Sequence, residues 1–239
     1  MVLSMQELNR LKICTSFILK NSDRGECLSD RISIDSRRIN QNQVFISLEP
    51  DVAKNITNIK HAIANGASGF ISPFYISRQK IKTSLPFLIE RGIDKIYVDL
   101  FKADFKDKEL KPVIIGITGT NGKTSTALLL AQALRHQNKK IGVISSEGAG
   151  VYPNLAENEY TTPPLDINYK YLRSFCKKKC DYVIIECSSQ GLHQGRLEGI
   201  HFTYSIITNI DQDHIEYHKS IKNYINSKLK IMHQSRTSI

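Results

Sequence analysis

The chain has 239 residues, a formal net charge of +10 and a hydrophobic share of 41%. That apolar content supports a packed core and excludes a disordered chain, and the length suits one large or two modest domains. No apolar run approaches the ~18 residues of a membrane span, and the N-terminus, MVLSMQELNRLK, lacks a secretory apolar stretch with a cleavage site, so a soluble cytoplasmic protein without a membrane partner is expected. The basic excess is spread over both halves. Its one cluster, Lys177, Lys178 and Lys179, is expected on a solvated helix end. A nucleic-acid surface would concentrate its charge and interleave aromatics, so no nucleic-acid partner is expected, although the field favours a polyanion such as a nucleotide. Cys14, Cys27, Cys176, Cys180 and Cys187 form neither a CxxC pair nor a zinc-ligand spacing and read as ordinary reduced thiols.

Leu8, Leu11, Phe17 and Ile18 predict a helix within residues 1–20. Strands are expected at residues 32–35, 44–48, 69–72 and 96–98, with a helix over 58–65 ended by Gly66. The charged stretch 101–111 reads as a linker. Beyond it the rhythm changes. Residues 113–118, 141–145, 182–187 and 204–209 are continuous apolar runs suited to strands buried on both faces. Helices are expected at 124–136, 169–178 and 220–232. The alternation predicts an α/β fold: a small α/β domain over 1–110, then a domain over 111–239 whose mainly parallel sheet is flanked by helices.

The strongest motif is GITGTNGKTS over residues 116–125, placed after a buried strand and at the start of a helix. Glycines let successive amides face one point, and the helix N-terminus adds partial positive charge. Gly119, Thr120, Asn121, Gly122, Lys123, Thr124 and Ser125 are therefore candidate ATP-phosphate contacts, with Lys123 on the outer phosphates and the Thr124 hydroxyl on Mg²⁺. The loop is a variant: Ile117 stands where the common pattern has glycine.

Three further groups lie at strand ends, where parallel sheets collect ligands. Glu186 closes the run 182–185 and can hold Mg²⁺ beside a phosphate. The loop SSQGLHQGR, residues 188–196, is dense in hydrogen-bonding groups, and Arg196 can clamp a carboxylate or phosphate. DQDHIEYH, residues 211–218, carries His214; taken alone, His193, His201, His214 and His218 read as exposed bystanders.

Taken together, GITGTNGKTS, YTTPPLD at 160–166, ECSSQGLHQGRLEG at 186–199 and TNIDQDHIEYH at 208–218 resemble the peptidoglycan Mur ligases, in particular those acting on UDP-N-acetylmuramoyl-L-alanyl-D-glutamate. IDSR at 34–37 matches the uridine-binding domain of that family. The resemblance implies ATP and Mg²⁺ as cofactors, with a UDP-muramoyl dipeptide and an amino acid as small-molecule substrates. It implies metal contacts at Thr124, Glu186 and His214, and at Lys228 if that lysine is carbamylated. It gives Lys123, Lys228 and His214 the catalytic roles, and places Thr161, Thr162, Ser188, Gln194 and Arg196 on the dipeptide, with Ile34 and Ser36 at the uridine end. From sequence alone Lys228 reads as a helix-surface lysine. The implied reaction is amide formation through an acyl phosphate.

The chain departs from the family in places. A C-terminal ligase domain is expected after Lys228, and the tail QSRTSI at 234–239 resembles nothing in the family, so a truncated form with little activity alone is expected. Pro50, Lys54 and Asn55 stand where the family has a glycine and an Asp-Gly pair, which weakens the expected uridine contact, and Gln190 replaces the usual histidine. The alternatives are a non-catalytic ATP-binding remnant or regulatory module, and another P-loop enzyme such as a folate polyglutamate ligase or a kinase.

Overall fold

A computed structural model describes residues 4–22, 28–102 and 112–239, and the chain divides into two units, Met1–Asp107 and Lys108–Ile239. The first helix, α1 (Met5–Asn21), starts where Ser4 and Glu7 satisfy each other's backbone amides in a capping box. Then come β1 (Ile32–Ser33), β2 (Val44–Ile46), α2 (Val52–Ala64), β3 (Gly69–Ser72), α3 (Arg78–Ile81), β4 (Phe87–Ile89) and α4 (Ile93–Lys102). The four strands pair in parallel in the order β1-β2-β3-β4. Phe45, Ile59, Phe70 and Ile81 fill one core cluster, and Phe70 stacks on Phe87 at 5.3 Å.

Three expectations for this unit are corrected. Residues 96–98 are not a strand but part of α4: Ile93, Ile96, Tyr97, Leu100 and Phe101 are all buried, and their spacing of three and four is the helical period. The same helix takes Phe101 and Lys102 from the expected linker, while 103–111 lie outside the described residues. Helix α2 also begins earlier than expected, because Asp51 caps it through the Lys54 amide. Asn55, a departure from the family pattern, is fully buried and donates to the Glu49 carbonyl at 3.1 Å.

The second unit runs β5 (Val113–Thr118), α5 (Lys123–His136), β6 (Ile141–Ser145), β7 (Gly148–Val151), β8 (Asn154–Ala156), α6 (Leu165–Lys177), β9 (Tyr182–Glu186), α7 (Ser189–His193), β10 (Phe202–Ile207), α8 (Ile215–His218), α9 (Ile221–His233) and β11 (Ser235–Ser238). Its seven strands are ordered β11-β10-β5-β9-β6-β7-β8, parallel from β11 to β6 and antiparallel at β7 and β8. Lys177, Lys178 and Lys179 are exposed at the end of α6, as expected.

Strand β5 lies between β10 and β9, so the carboxyl ends of three parallel strands gather around residues 119–122. Helix α5 covers one side of this centre with Ala127 and Ala131, both fully buried. Helix α9 approaches β5 closely: a Cβ on Gly116 would stand 2.7 Å from Ile231 Cδ1 and 2.8 Å from the Phe202 ring. Gly116→Ala is therefore expected to overpack this contact and destabilise the fold by about 1–3 kcal/mol, read as a lower urea midpoint at unchanged slope.

Candidate active site

Residues 119–122 turn the chain from β5 into α5. Gly119 has φ +150° and Gly122 φ +78°. A Cβ on Gly119 would run into Thr208 Oγ1, so both the backbone conformation and the close approach require glycine there. Gly122 caps α5 with no side chain, which leaves the helix's first amides open to an anion. The loop is held from β10's side: Thr120 N–H donates to Asn209 O at 3.0 Å, Asn121 N–H to Asn209 Oδ1 at 3.0 Å, and Thr208 Oγ1 to Asn121 O at 2.6 Å.

Glu186, at the end of β9, is 2% exposed and stands opposite Ile117 of β5. Thr124 Oγ1 lies 3.0 Å from both carboxylate oxygens. Ser146, just past β6, adds its amide at 3.1 Å and its hydroxyl at 3.3 Å, and the two hydroxyls are 3.0 Å apart. The result is a buried carboxylate beside two hydroxyl oxygens, all its hydrogen-bond donors neutral. That donor set fits a hard cation which takes one or two carboxylates and keeps waters and phosphate oxygens for its other positions, as Mg²⁺ does. Among the described residues no group of three or more His, Cys, Asp or Glu forms a closed cage. Sequence reasoning missed Ser146, although its place at a strand's carboxyl end was a readable signal.

Two lysines converge on the loop. Lys123 Nζ donates to Gly119 O at 3.0 Å and Thr120 O at 2.8 Å, and Lys228 Nζ also donates to Gly119 O. Lys228 is no surface lysine: it is 1% exposed, because the face of α9 that bears it packs inward. Its ammonium stands 4.7 Å from the centre of the Tyr224 ring. Burial, then the neighbouring Lys123 charge, push Lys228 down to about 8.

The imidazoles divide. His214 is exposed in a left-handed conformation and pairs with Asp213 at 3.4 Å; among the described residues it makes no hydrogen bond to Glu186 or to the loop. His218 was expected to be an exposed bystander and is instead 4% exposed, packed against Tyr217 at 4.7 Å and Tyr224 at 5.4 Å. Burial first, then His193, His214 and Lys228, lower its pKa and keep it neutral.

The polar loop after β9 is internally tied. Thr162, 1% exposed, donates to Glu186 O at 2.8 Å and accepts from Ser188 N–H at 2.9 Å, so its hydroxyl sets the backbone around the glutamate. Ser188 caps α7 through the Gly191 amide. Arg196 donates to Gln194 Oε1 at 2.8 Å and Thr162 O at 2.7 Å, and lies over the Tyr160 ring, which brings Thr162, Ser188, Gln194 and Arg196 into one network. Thr161 is half-buried beside it. In the first unit a cavity of about 640 Å³ opens past β2, β3 and β4, with Leu48, Pro73, Phe74 and Arg91 in its walls; neither Ile34 nor Ser36 lines it.

The Lys228 geometry makes a stability prediction. Folding lowers its pKa from 10.5 to about 8, so between those values the unfolded chain holds a proton that the folded chain has released. Stability should therefore rise with pH across that window, and below about 8 both states are charged and the cost of burial is constant. Chemical denaturation from pH 7.5 to 10.5 should show this rise in the wild type and a flatter profile in Lys228→Met.

Comparison with known proteins gives this geometry its context. The family model described as the Mur ligase middle domain matches residues 117–239. UDP-N-acetylmuramoyl-L-alanyl-D-glutamate–2,6-diaminopimelate ligases of Coxiella burnetii and Wigglesworthia glossinidia brevipalpis are 31% and 32% identical over 214 and 221 residues. Each alignment covers 88% of this chain and 43% of the relative, so the chain spans less than half the length of these curated relatives. A solved ligase of the same name superposes with a TM-score of 0.69 at 28% identity, over 87% of this chain and 42% of that one. A Thermotoga maritima MurF ligase solved with ADP superposes at 0.55 and 17% identity, over 89% and 45%, a likeness of fold alone. Since the family model covers more than half of its length, the chain belongs to the Mur ligase family.

Proposed function

We propose that the chain is the nucleotide-binding part of a cytoplasmic ATP-dependent ligase of peptidoglycan precursor synthesis, which joins an amino acid to UDP-N-acetylmuramoyl-L-alanyl-D-glutamate. The observation that carries this reading is the buried Glu186 carboxylate held 3.0 Å from the Thr124 hydroxyl at the first turn of a phosphate-loop helix. In a ligase of this kind the substrate carboxylate takes the γ-phosphoryl of ATP, and an amine then displaces phosphate from the acyl phosphate. Phosphorylation replaces an oxide leaving group, which does not depart at neutral pH, with one that does.

The chain's own part is positioning and charge. The open amides at the start of α5 bind the phosphates, while the Thr120 and Asn121 amides, donating to Asn209, hold the loop in shape. Lys123, resting on loop carbonyls, exchanges those contacts for the outer phosphates. Thr124, Glu186 and Ser146 would hold Mg²⁺, which supplies Lewis-acid neutralisation of the phosphate oxygens when bound. Lys228, buried and with its pKa near 8, is mostly a cation at neutral pH but has a neutral fraction able to take up CO₂ as a carbamate, which would make it a second oxygen ligand. The network of Thr162, Ser188, Gln194 and Arg196, with Thr161, is assigned to the dipeptide's carboxylates. Ile34 and Ser36, in the IDSR segment, are assigned to the uridine end.

A second reading, a non-catalytic ATP-binding module, is favoured by one observation: His214 is paired with Asp213 and is not on Glu186. Calorimetry separates the claims. The wild-type chain should bind MgATP, Lys123→Ala should weaken binding by about tenfold or more, and Glu186→Gln should weaken MgATP more than ATP with the metal chelated. No MgATP binding by the wild type would end both readings. UDP-N-acetylmuramoyl-L-alanyl-D-glutamate should raise the melting temperature where a folate does not. Binding of MgATP without that response would favour the second reading.

A further inference from the structure

Tyr224 is fully buried on α9, and the chemistry proposed above makes no use of it. Its hydroxyl stands 2.8 Å from Thr120 Oγ1, inside the phosphate loop. That threonine is already engaged with Asp211: it accepts from the Asp211 amide at 2.8 Å and lies 3.1 Å from the Asp211 carbonyl. A hydroxyl has one proton and two lone pairs. The carbonyl can only accept, so the Thr120 proton goes to Asp211 O. Its lone pairs then take the Asp211 N–H and one more donor, and that donor is the Tyr224 O–H. Burial raises the Tyr224 pKa, which keeps that proton on the phenol. Thr120 is satisfied only with all three contacts made. The same Tyr224 ring supports the Lys228 ammonium, which itself donates to Gly119 of the loop.

We infer that Tyr224 is a positioning residue: its hydroxyl holds the phosphate loop in its nucleotide-ready shape and ties that loop to α9, the helix that carries Lys228. The functional side of this inference rests on residues 119–124 being the ATP-phosphate site. A loop with glycines at both bends loses much backbone freedom on ordering. Thr120 lies between those bends, so fixing it there orders the loop before the nucleotide arrives. Sequence offered no signal for this, since a tyrosine at a buried helical position reads as core.

The test is amide hydrogen exchange on the 239-residue chain without nucleotide, paired with MgATP calorimetry. Tyr224→Phe removes the hydroxyl and keeps the ring. The hydrogen-bonded amides of Thr120, Asn121 and Asp211 should exchange about five- to tenfold faster, those of β6 and β9 should not change, and MgATP affinity should fall by a similar factor. Unchanged exchange in the loop, or equal acceleration throughout the second unit, would overturn the inference. If the loop loosens while the wild type binds no ATP, the anchoring stands and the ATP reading falls. If the wild type binds ATP and Tyr224→Phe leaves the loop unchanged, the anchoring falls and the ATP reading stands. Thr120→Ser and Thr120→Val probe the contact from its other end should Tyr224→Phe not fold. The serine variant should keep Asp211 protected and the valine variant should not; identical behaviour of the two would overturn the inference.

Discussion

A carboxylate buried in the second unit is the constraint on which the site's arrangement depends. Glu186 is nearly inaccessible to water, and such a group is tolerated only when donors surround it. Here they come from two different elements: the Thr124 hydroxyl from the first turn of α5, and the amide and hydroxyl of Ser146 from the chain leaving β6. Satisfying that one charge fixes the start of α5 against the ends of β9 and β6. The register that sets Ile117 opposite Glu186 brings the phosphate loop to the same place. The loop, the helix N-terminus and the acidic group are thus one assembly rather than three neighbours.

The positive charges answer the same geometry. Lys123 and Lys228 both donate to the Gly119 carbonyl, so two ammonium groups share one acceptor. Like charges so close are unfavourable unless an anion joins them, and burial adds to the cost at Lys228. The Tyr224 ring and the Gly119 carbonyl offset part of it. The arrangement is strained in charge rather than in backbone, and a bound polyanion would relieve it.

Much of this was legible in the residues, and the gaps have physical causes. The buried runs at 113–118, 141–145 and 182–186 are unmistakable because a strand covered on both faces has no polar alternation to confuse the reading. The loop declared itself through glycine spacing, and Glu186 through its place after an apolar run. Helix α4 was misread because three apolar residues in a row look like a strand when the helical partners at Ile93, Leu100 and Phe101 are not counted with them. The strands β4, β7, β8 and β11 escaped notice: they are short, and β11, Ser-Arg-Thr-Ser, has no hydrophobic pattern at all. The burial of Lys228 and His218 could not be read because it follows from how α9 and α8 pack, not from local composition. Within the site, the contacts of Asp211 and Tyr224 to Thr120 depend on tertiary packing and were invisible for the same reason, whereas Ser146 was overlooked although it directly follows a strand.

The central claim is that Thr124 and Glu186, hydrogen-bonded to each other here, are the two protein oxygens that meet a metal at a bound nucleotide's phosphates. A crystal structure of the chain with a non-hydrolysable ATP analogue and Mn²⁺ tests it most directly, through the anomalous signal of the metal. The account predicts a peak within about 2.3 Å of Thr124 Oγ1, with the Glu186 carboxylate turned to the ion or to its waters, and the phosphates on the open amides at the start of α5. A metal bound elsewhere, or a nucleotide in place with the direct contact between Thr124 and Glu186 unbroken, would contradict it.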